Sequence, residues 1–319
     1  MSTVIAGNAV TSTLVATEPV VTPKVRKPWG IPFWIASTWI ATVVGSTVFV
    51  SLNHWKKEVD FLAGGLVASG DWTKTFSWSH PLGVDGAGND TLWELTTGAK
   101  NSLIIAFTTV LLGFLMGGAL GMIAGYFRGR VDVVLSFVTT ALLSLPPLLF
   151  IILLISVLSA QTSDSGIEQG LQSSVVKISI SLAILTIPSL FRVVRASTIQ
   201  YAQREFVTAA RTMGAKSSRV LLREILPNVV KPLLAFGLVS AGTVMVIEGA
   251  LSFLGIGVGA GTGTSAWGKM IQEGAGITDL RDAPNIALIP AFVLFCTVVS
   301  LNFIGDKFRE RLEVKQGNI

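Results

Sequence analysis

Six apolar runs, free or nearly free of charge, dominate the chain: about Ile31–Leu52, Ser102–Gly125, Val133–Leu158, Ile178–Phe191, Leu233–Leu254 and Ile286–Ile304. Most reach the roughly 20 residues a helix needs to cross about 30 Å of hydrocarbon. In lipid only helices and closed barrels satisfy every backbone group. The runs are continuous rather than alternating, which selects helices. The fourth is short and extends to Val194 if Arg192 snorkels or faces protein. The expected fold is therefore an all-α membrane protein with six transmembrane helices. Composition agrees: 13% of the 319 residues are charged and 50% are hydrophobic. A soluble chain carries about 25% charge, which argues against a cytosolic enzyme and for a lipid-embedded chain.

Positive charge orients such a bundle. With the polar tail 1–28 inside, 17 Lys and Arg fall on the inner side and 5 on the outer, with Lys100 and Lys177 at the borders. The outer segments, about 53–100, 160–174 and 255–284, hold 11 acids. The basic pI near 9.5 is thus a topology signal, and a nucleic-acid role is improbable. Both termini are expected in the cytoplasm. The tail ends in Lys24, Arg26, Lys27 and Pro28 and reads as a flexible segment; no A-x-A site follows to suggest a cleaved signal.

Chemistry-bearing clusters are sparse. Cys296 is the single cysteine, so no disulfide forms within the chain; His54 and His80 read as solvated external residues. Gly263-x4-Gly268-Lys269-Met270 mimics a phosphate loop, but Met270 stands where Ser or Thr would hold Mg²⁺ and no strand precedes it. Asp85 to Asp90 lacks the glycine and the glutamate of a calcium loop and reads as a turn.

The sharpest feature is the long basic inner segment 192–231. Phe206, Ala209, Ala210 and Met213 fall at i, i+3, i+4 and i+7, one narrow apolar face of a short helix. Glu205, Thr208 and Arg211 lie off that face. Gly214 is placed to stop the helix. Ser217 or Ser218 then caps a second helix that is expected to end at Leu226-Pro227. Such a helix rests on lipid headgroups or docks a partner. Two alanines give little membrane affinity but permit close approach of another backbone, which favours docking.

Here the chain resembles a known family. Phe206-Val207-Thr208-Ala209-Ala210-x3-Gly214, followed by Ile225-Leu226-Pro227, looks like the cytoplasmic EAA loop of ABC importer permeases. His80-Pro81-Leu82-Gly83-x-Asp85-x-x-Gly88-x-Asp90 is similar to an external segment of peptide and nickel importer permeases. Leu251-Ser252-Phe253-Leu254-Gly255-Ile256-Gly257 with Trp267-Gly268, and Asn302-x-x-Gly305-Asp306-x-x-Arg309, match the fifth helix and the exit of the last. Together these motifs span about 80 to 309 and resemble the dipeptide/oligopeptide/nickel permeases. Thr208 stands where the loop's first glutamate is usual, and Asn89 where the external motif usually has Arg. Phe137 and Thr140 stand where the third helix often carries an Arg and an Asp.

The resemblance implies a type I ABC importer permease fold in a bacterial inner or plasma membrane. It implies a tail 1–28, a first helix and external segment 29–97, a permease domain 98–306 with a coupling loop at about 196–231, and a tail 307–319. It implies di- or oligopeptide cargo, with nickel chelates or another small solute as the alternative. Implied partners are a second homologous permease, two ATPase subunits or domains that bind the ATP and Mg, an external substrate-binding protein and the bilayer. The chain itself is expected to hold no cofactor, metal or catalytic residue. The coupling residues are expected to be Glu205, Phe206, Thr208, Ala209, Ala210, Met213, Gly214, Leu226 and Pro227.

Three further positions are pathway or gate candidates. Pro146 and Pro147 lie inside an apolar run, where prolines kink helices. Glu248 is the one acid deep in an apolar run, and a lone charge there costs at least about 2.5 kcal/mol on insertion scales. It therefore faces the bundle, as a helix-to-helix hydrogen bond or as part of a pathway. An ion-coupled secondary transporter would need more such residues.

Overall fold

The structure is a computed structural model that describes residues 29–53, 78, 80–85, 88–163, 171–258, 265–276, 280–281 and 283–316. The tail 1–28, His54 and Gly263 lie outside the described residues. The helices are α1 (Gly30–Asn53), α2 (Thr91–Phe127), α3 (Gly129–Leu143), α4 (Pro147–Ser163), α5 (Leu171–Tyr201), α6 (Glu205–Thr212), α7 (Ser217–Phe253), α8 (Trp267–Glu273) and α9 (Asn285–Gln316). Among the described residues there is no strand, only an isolated bridge between Val84 and Asp90. Among the described residues five helices are long and apolar enough to cross a membrane, and six spans result if the bent pair α3–α4 is one.

That pair departs from a simple third span. The run Val133–Leu158 is broken by 94° between α3 and α4. Neither Pro146 nor Pro147 has an N–H to continue the α3 ladder, and each ring crowds the preceding turn. The chain restarts at once, with the Phe150 N–H donating to the Pro146 carbonyl at 3.1 Å. The last helix continues beyond its apolar run Ile286–Ile304 to Gln316.

A glycine seam packs α2 closely against α5. A Cβ on Gly117 would lie 2.6 Å from the Ile187 carbonyl oxygen, on Gly121 2.7 Å from that of Phe191, and on Gly125 2.8 Å from that of Arg195. Small residues let helix backbones touch, which in lipid replaces the hydrophobic drive that water supplies. α1 lies on the outside of α9, where the Trp39 Nε1–H donates to Thr297 Oγ1 at 3.0 Å and the Arg311 guanidinium stacks 3.5 Å from the Trp29 ring.

The entry to α2 is a closed loop. Asp90 caps the helix, accepting from the Trp93 N–H at 2.8 Å, and its other oxygen meets His80 Nδ1 at 2.8 Å. His80 is buried, not solvated as expected from sequence, because this bond folds it under the turn. The Asp85 carboxylate accepts from the Asn89 backbone N–H at 2.6 Å and its side-chain amide at 2.5 Å. Asn89, in place of the usual Arg, thus closes this turn.

Candidate functional site

The segment after α5 builds a short helix on a rigid footing. α6 ends at Thr212 with Met213 as its C-cap, and Gly214 takes φ +81°. The Gly214 N–H donates to the Arg211 carbonyl at 2.9 Å and the Ala215 N–H to that of Ala210 at 3.0 Å. This bond pair is the Schellman closure, which needs a left-handed residue at the glycine position. The expected stop at Gly214 is therefore present.

The expected apolar face is divided. Ala210 is 7% exposed and Val207 is fully buried. They pack with Leu190 and Val194 of α5 and with Val220, Ile225 and Val229 of α7, flanked by Tyr126 of α2. Phe206 at 40% and Met213 at 80% exposure point away from the chain, with Ala209 between them. Ala210 therefore belongs to the inward face with Val207, because neighbouring positions on a helix lie about 100° apart. Arg211 sits 4.8 Å from the Tyr126 ring centroid and adds a cation–π contact to α2. Glu205 and Thr208 are exposed beside the outward face.

The second loop helix does not end at Pro227. It runs into the span as α7, through a π-helical stretch Val220–Ile225. Proline cannot donate to the carbonyl four residues back, and its ring crowds that group. The wider turn absorbs this, with the Leu226 N–H reaching the Leu221 carbonyl. Neither Ser217 nor Ser218 supplies a side-chain cap. α6 and α7 thus share one apolar core with α5.

Near the same end, the Arg195 guanidinium grips both oxygens of Asp132, one by Nε and the other by Nη2 at 2.6 Å. This fork ties α3 to α5. Arg192 Nη2 donates to Thr140 Oγ1 at 3.3 Å.

The opposite end holds the buried acid. Glu248 is 1% exposed; it accepts from Ser252 Oγ at 2.8 Å and from Ser102 Oγ of α2 at 3.2 Å. The structure thus shows a hydrogen bond between α2 and α7. Above it α8 is inserted as a plug. Trp267 is fully buried and its Nε1–H donates to the Leu95 carbonyl at 2.9 Å; Asn101 Nδ2 donates to the Ser265 carbonyl at 2.7 Å. Ser265 Oγ donates to Glu94 at 3.1 Å. Sequence reasoning missed Glu94, Ser102 and Ser252. Lys269, in the phosphate-loop mimic, pairs with Glu273 at 3.3 Å. Pro146 and Pro147 are exposed at the break and do not meet Glu248.

Glu248→Gln is expected to keep both serine contacts, one accepted and one donated, with wild-type thermal stability in detergent. Glu248→Leu strands two buried hydroxyls and should cost roughly 1–3 kcal/mol. Equal melting of both variants and wild type would remove Glu248 as a strut.

Residues 117–315 match the family described as "Binding-protein-dependent transport system inner membrane component". The chain belongs to that family. It is a permease subunit of an ABC importer and a multi-pass inner-membrane protein. This permease is 29% identical over 308 residues to the glutathione transport system permease protein GsiD of Pectobacterium atrosepticum, covering 95% of this chain and 96% of that protein. It is 32% identical over 305 residues to GsiD of Escherichia coli O6:K15:H31, covering 93% and 94%. Its fold is similar to a chain of the inward-facing MetNI methionine ABC transporter, with TM-score 0.55, 18% identity, 69% of this chain covered and 97% of that one. The expected all-α type I permease fold is therefore established.

Proposed function

We propose that this permease carries small peptides or peptide-like molecules, delivered by an external binding protein, through a path it forms with a second homologous permease. Two ATPase subunits or domains dock on α6 and hold the ATP and Mg; this chain contributes no nucleotide site and no covalent chemistry. The observation that carries the docking assignment is the outward face Phe206–Ala209–Met213 on a helix whose inward face is locked into the bundle. The names of the curated relatives support peptide-like cargo, since glutathione is a tripeptide. The 17-to-5 split of basic residues supports cytoplasmic termini and a cytoplasmic α6.

The domain limits follow the same reading: tail 1–28, first helix and external segment 29–97, permease domain 98–306 with the coupling loop at about 196–231, and tail 307–319. Closure of the ATPases on ATP moves α6. Because α6 shares its core with α5 and α7, those helices rock as a body between inward-open and outward-open arrangements. Hydrolysis resets the state. Pro146–Pro147 gives α3–α4 a fixed break beside that path.

Orientation is checked with single cysteines after Cys296 is replaced. A cysteine at exposed Met213 should resist an impermeant reagent in intact cells and react after lysis, whereas one at exposed Trp78 should react in both. Labelling at position 213 in intact cells would invert the topology. The function is tested with the purified complex in proteoliposomes. Uptake of di- and tripeptides should require ATP, the binding protein and this chain together. ATP-independent uptake by this chain alone would replace the proposal with a secondary transporter.

A further inference from the structure

Arg192 is an exposed cation within a helix that is apolar enough to span the membrane. By helical rise it lies about 14 Å before the end of α5 at Tyr201. Its neighbours are accounted for: Phe191 and Val194 are buried, and Arg195 grips Asp132. The two guanidinium groups diverge. Arg195 turns to the first turn of α3, while Arg192 reaches Thr140, about 12 Å farther along α3. An arginine that snorkels carries its head towards the nearer membrane surface. Arg192 carries its head the other way, towards the 94° break at Pro146–Pro147.

A threonine hydroxyl does not neutralise a guanidinium. Among the described residues no carboxylate forms an ion pair with Arg192. A charge held within an apolar span is costly in lipid and marks a polar path or a partner. The planar fork of arginine matches a carboxylate. The break leaves Leu145, Leu148 and Leu149 exposed beside it, apolar surface that suits a side chain of cargo.

We propose that Arg192 is a cargo-contacting residue that receives the α-carboxylate of a peptide on the translocation path. This rests on the peptide reading above. Thr140 holds the guanidinium in place between transport cycles without competing for its charge.

The test uses the assembled transporter in proteoliposomes, with its binding protein saturated either by a di- and tripeptide mixture or by the same mixture amidated at the C-terminus. Uptake is read by mass spectrometry. Arg192→Gln should lower uptake of the free acids at least about tenfold, the loss expected when a charge-assisted contact is truncated, and change uptake of the amides by less than about twofold. Arg192→Lys should retain most acid uptake. Thr140→Asp, which gives the guanidinium an internal carboxylate, should lower acid uptake selectively, as Arg192→Gln does. Equal loss of acids and amides would assign Arg192 a structural role and overturn the inference. Loss of the second permease from the purified Arg192→Gln complex would show that Arg192 meets a carboxylate of that subunit, which also overturns it. If the wild type imports neither form, the peptide reading fails and takes this inference with it.

Discussion

Gly121→Val should prevent the permease from accumulating as a stable folded protein. A Cβ at Gly121 would stand 2.7 Å from the Phe191 carbonyl oxygen and 3.1 Å from the Arg195 nitrogen. Both obstacles are backbone, which cannot rotate aside as a side chain does. The valine methyls reach farther still, so α2 and α5 must separate. Overpacking alone costs about 1–3 kcal/mol and occasionally more. Separation also removes the close contact at Gly117 and Gly125 on either side, because all three share one seam. The loss therefore falls at the upper end of that range or beyond it. Gly118→Ala is the control: its Cβ would meet nothing nearer than Val194 Cγ2 at 4.0 Å. Thermal unfolding in detergent, read by size exclusion, should separate the two variants clearly. A Gly121→Val protein as heat-resistant as Gly118→Ala would show that the seam opens freely.

Ala209→Glu and Ala210→Glu should fail in different ways although they are adjacent. Ala209 lies between Phe206 and Met213 on the outward face. A glutamate there leaves the permease intact and places an unpaired charge at the centre of the proposed ATPase contact. Such substitutions cost about 2 kcal/mol or more, so association should fall by more than about tenfold. Ala210 packs beside Val207 in the buried cluster with Val220 and Ile225 inside the chain. A glutamate there is buried without a partner, and α6 comes away from its footing. Pull-down of the ATPases combined with a melting curve distinguishes them: the first variant melts like wild type and binds poorly, the second melts early. Gly214→Ala should strain the left-handed closure by about 1 kcal/mol, keep the ATPases bound and weaken the coupling of hydrolysis to uptake. If Ala209→Glu complexes stay assembled and transport normally, α6 is a headgroup contact and not the docking element.

The spans were readable because hydropathy alone decides which segments leave water; α1, α2, α5 and α9 each contain the run expected of them, and α7 falls one residue short at Phe253. The stop at Gly214 was readable because its conformation is local. The division of the α6 face was not, since Ala209 and Ala210 are the same residue and only tertiary contact tells them apart. The burial of His80 and Glu94 was hidden for the same reason. His80 depends on the Asp90 turn, and that turn is held by Asn285 donating to the Leu82 carbonyl at 3.2 Å from far along the chain. The glycine seam did carry a signal, a period of four through Gly113, Gly117, Gly121 and Gly125. The angle at Pro146–Pro147 carried none, because two prolines specify that a ladder stops and not where the chain goes next.

The π-helical stretch at Val220–Ile225 makes the footing of α6 a matter of phase. A π-turn holds one residue more than an α-turn, and each α-helical residue advances the azimuth by about 100°. What lies before the stretch is therefore rotated against what lies after it by the residue count, whatever the contacts weigh. The stretch between Gly214 and Pro227 should then tolerate changes of side chain far better than changes of length. Losing or gaining one residue would leave each apolar contact chemically possible while swinging Val220 more than a quarter of a turn out of the core on which α6 rests.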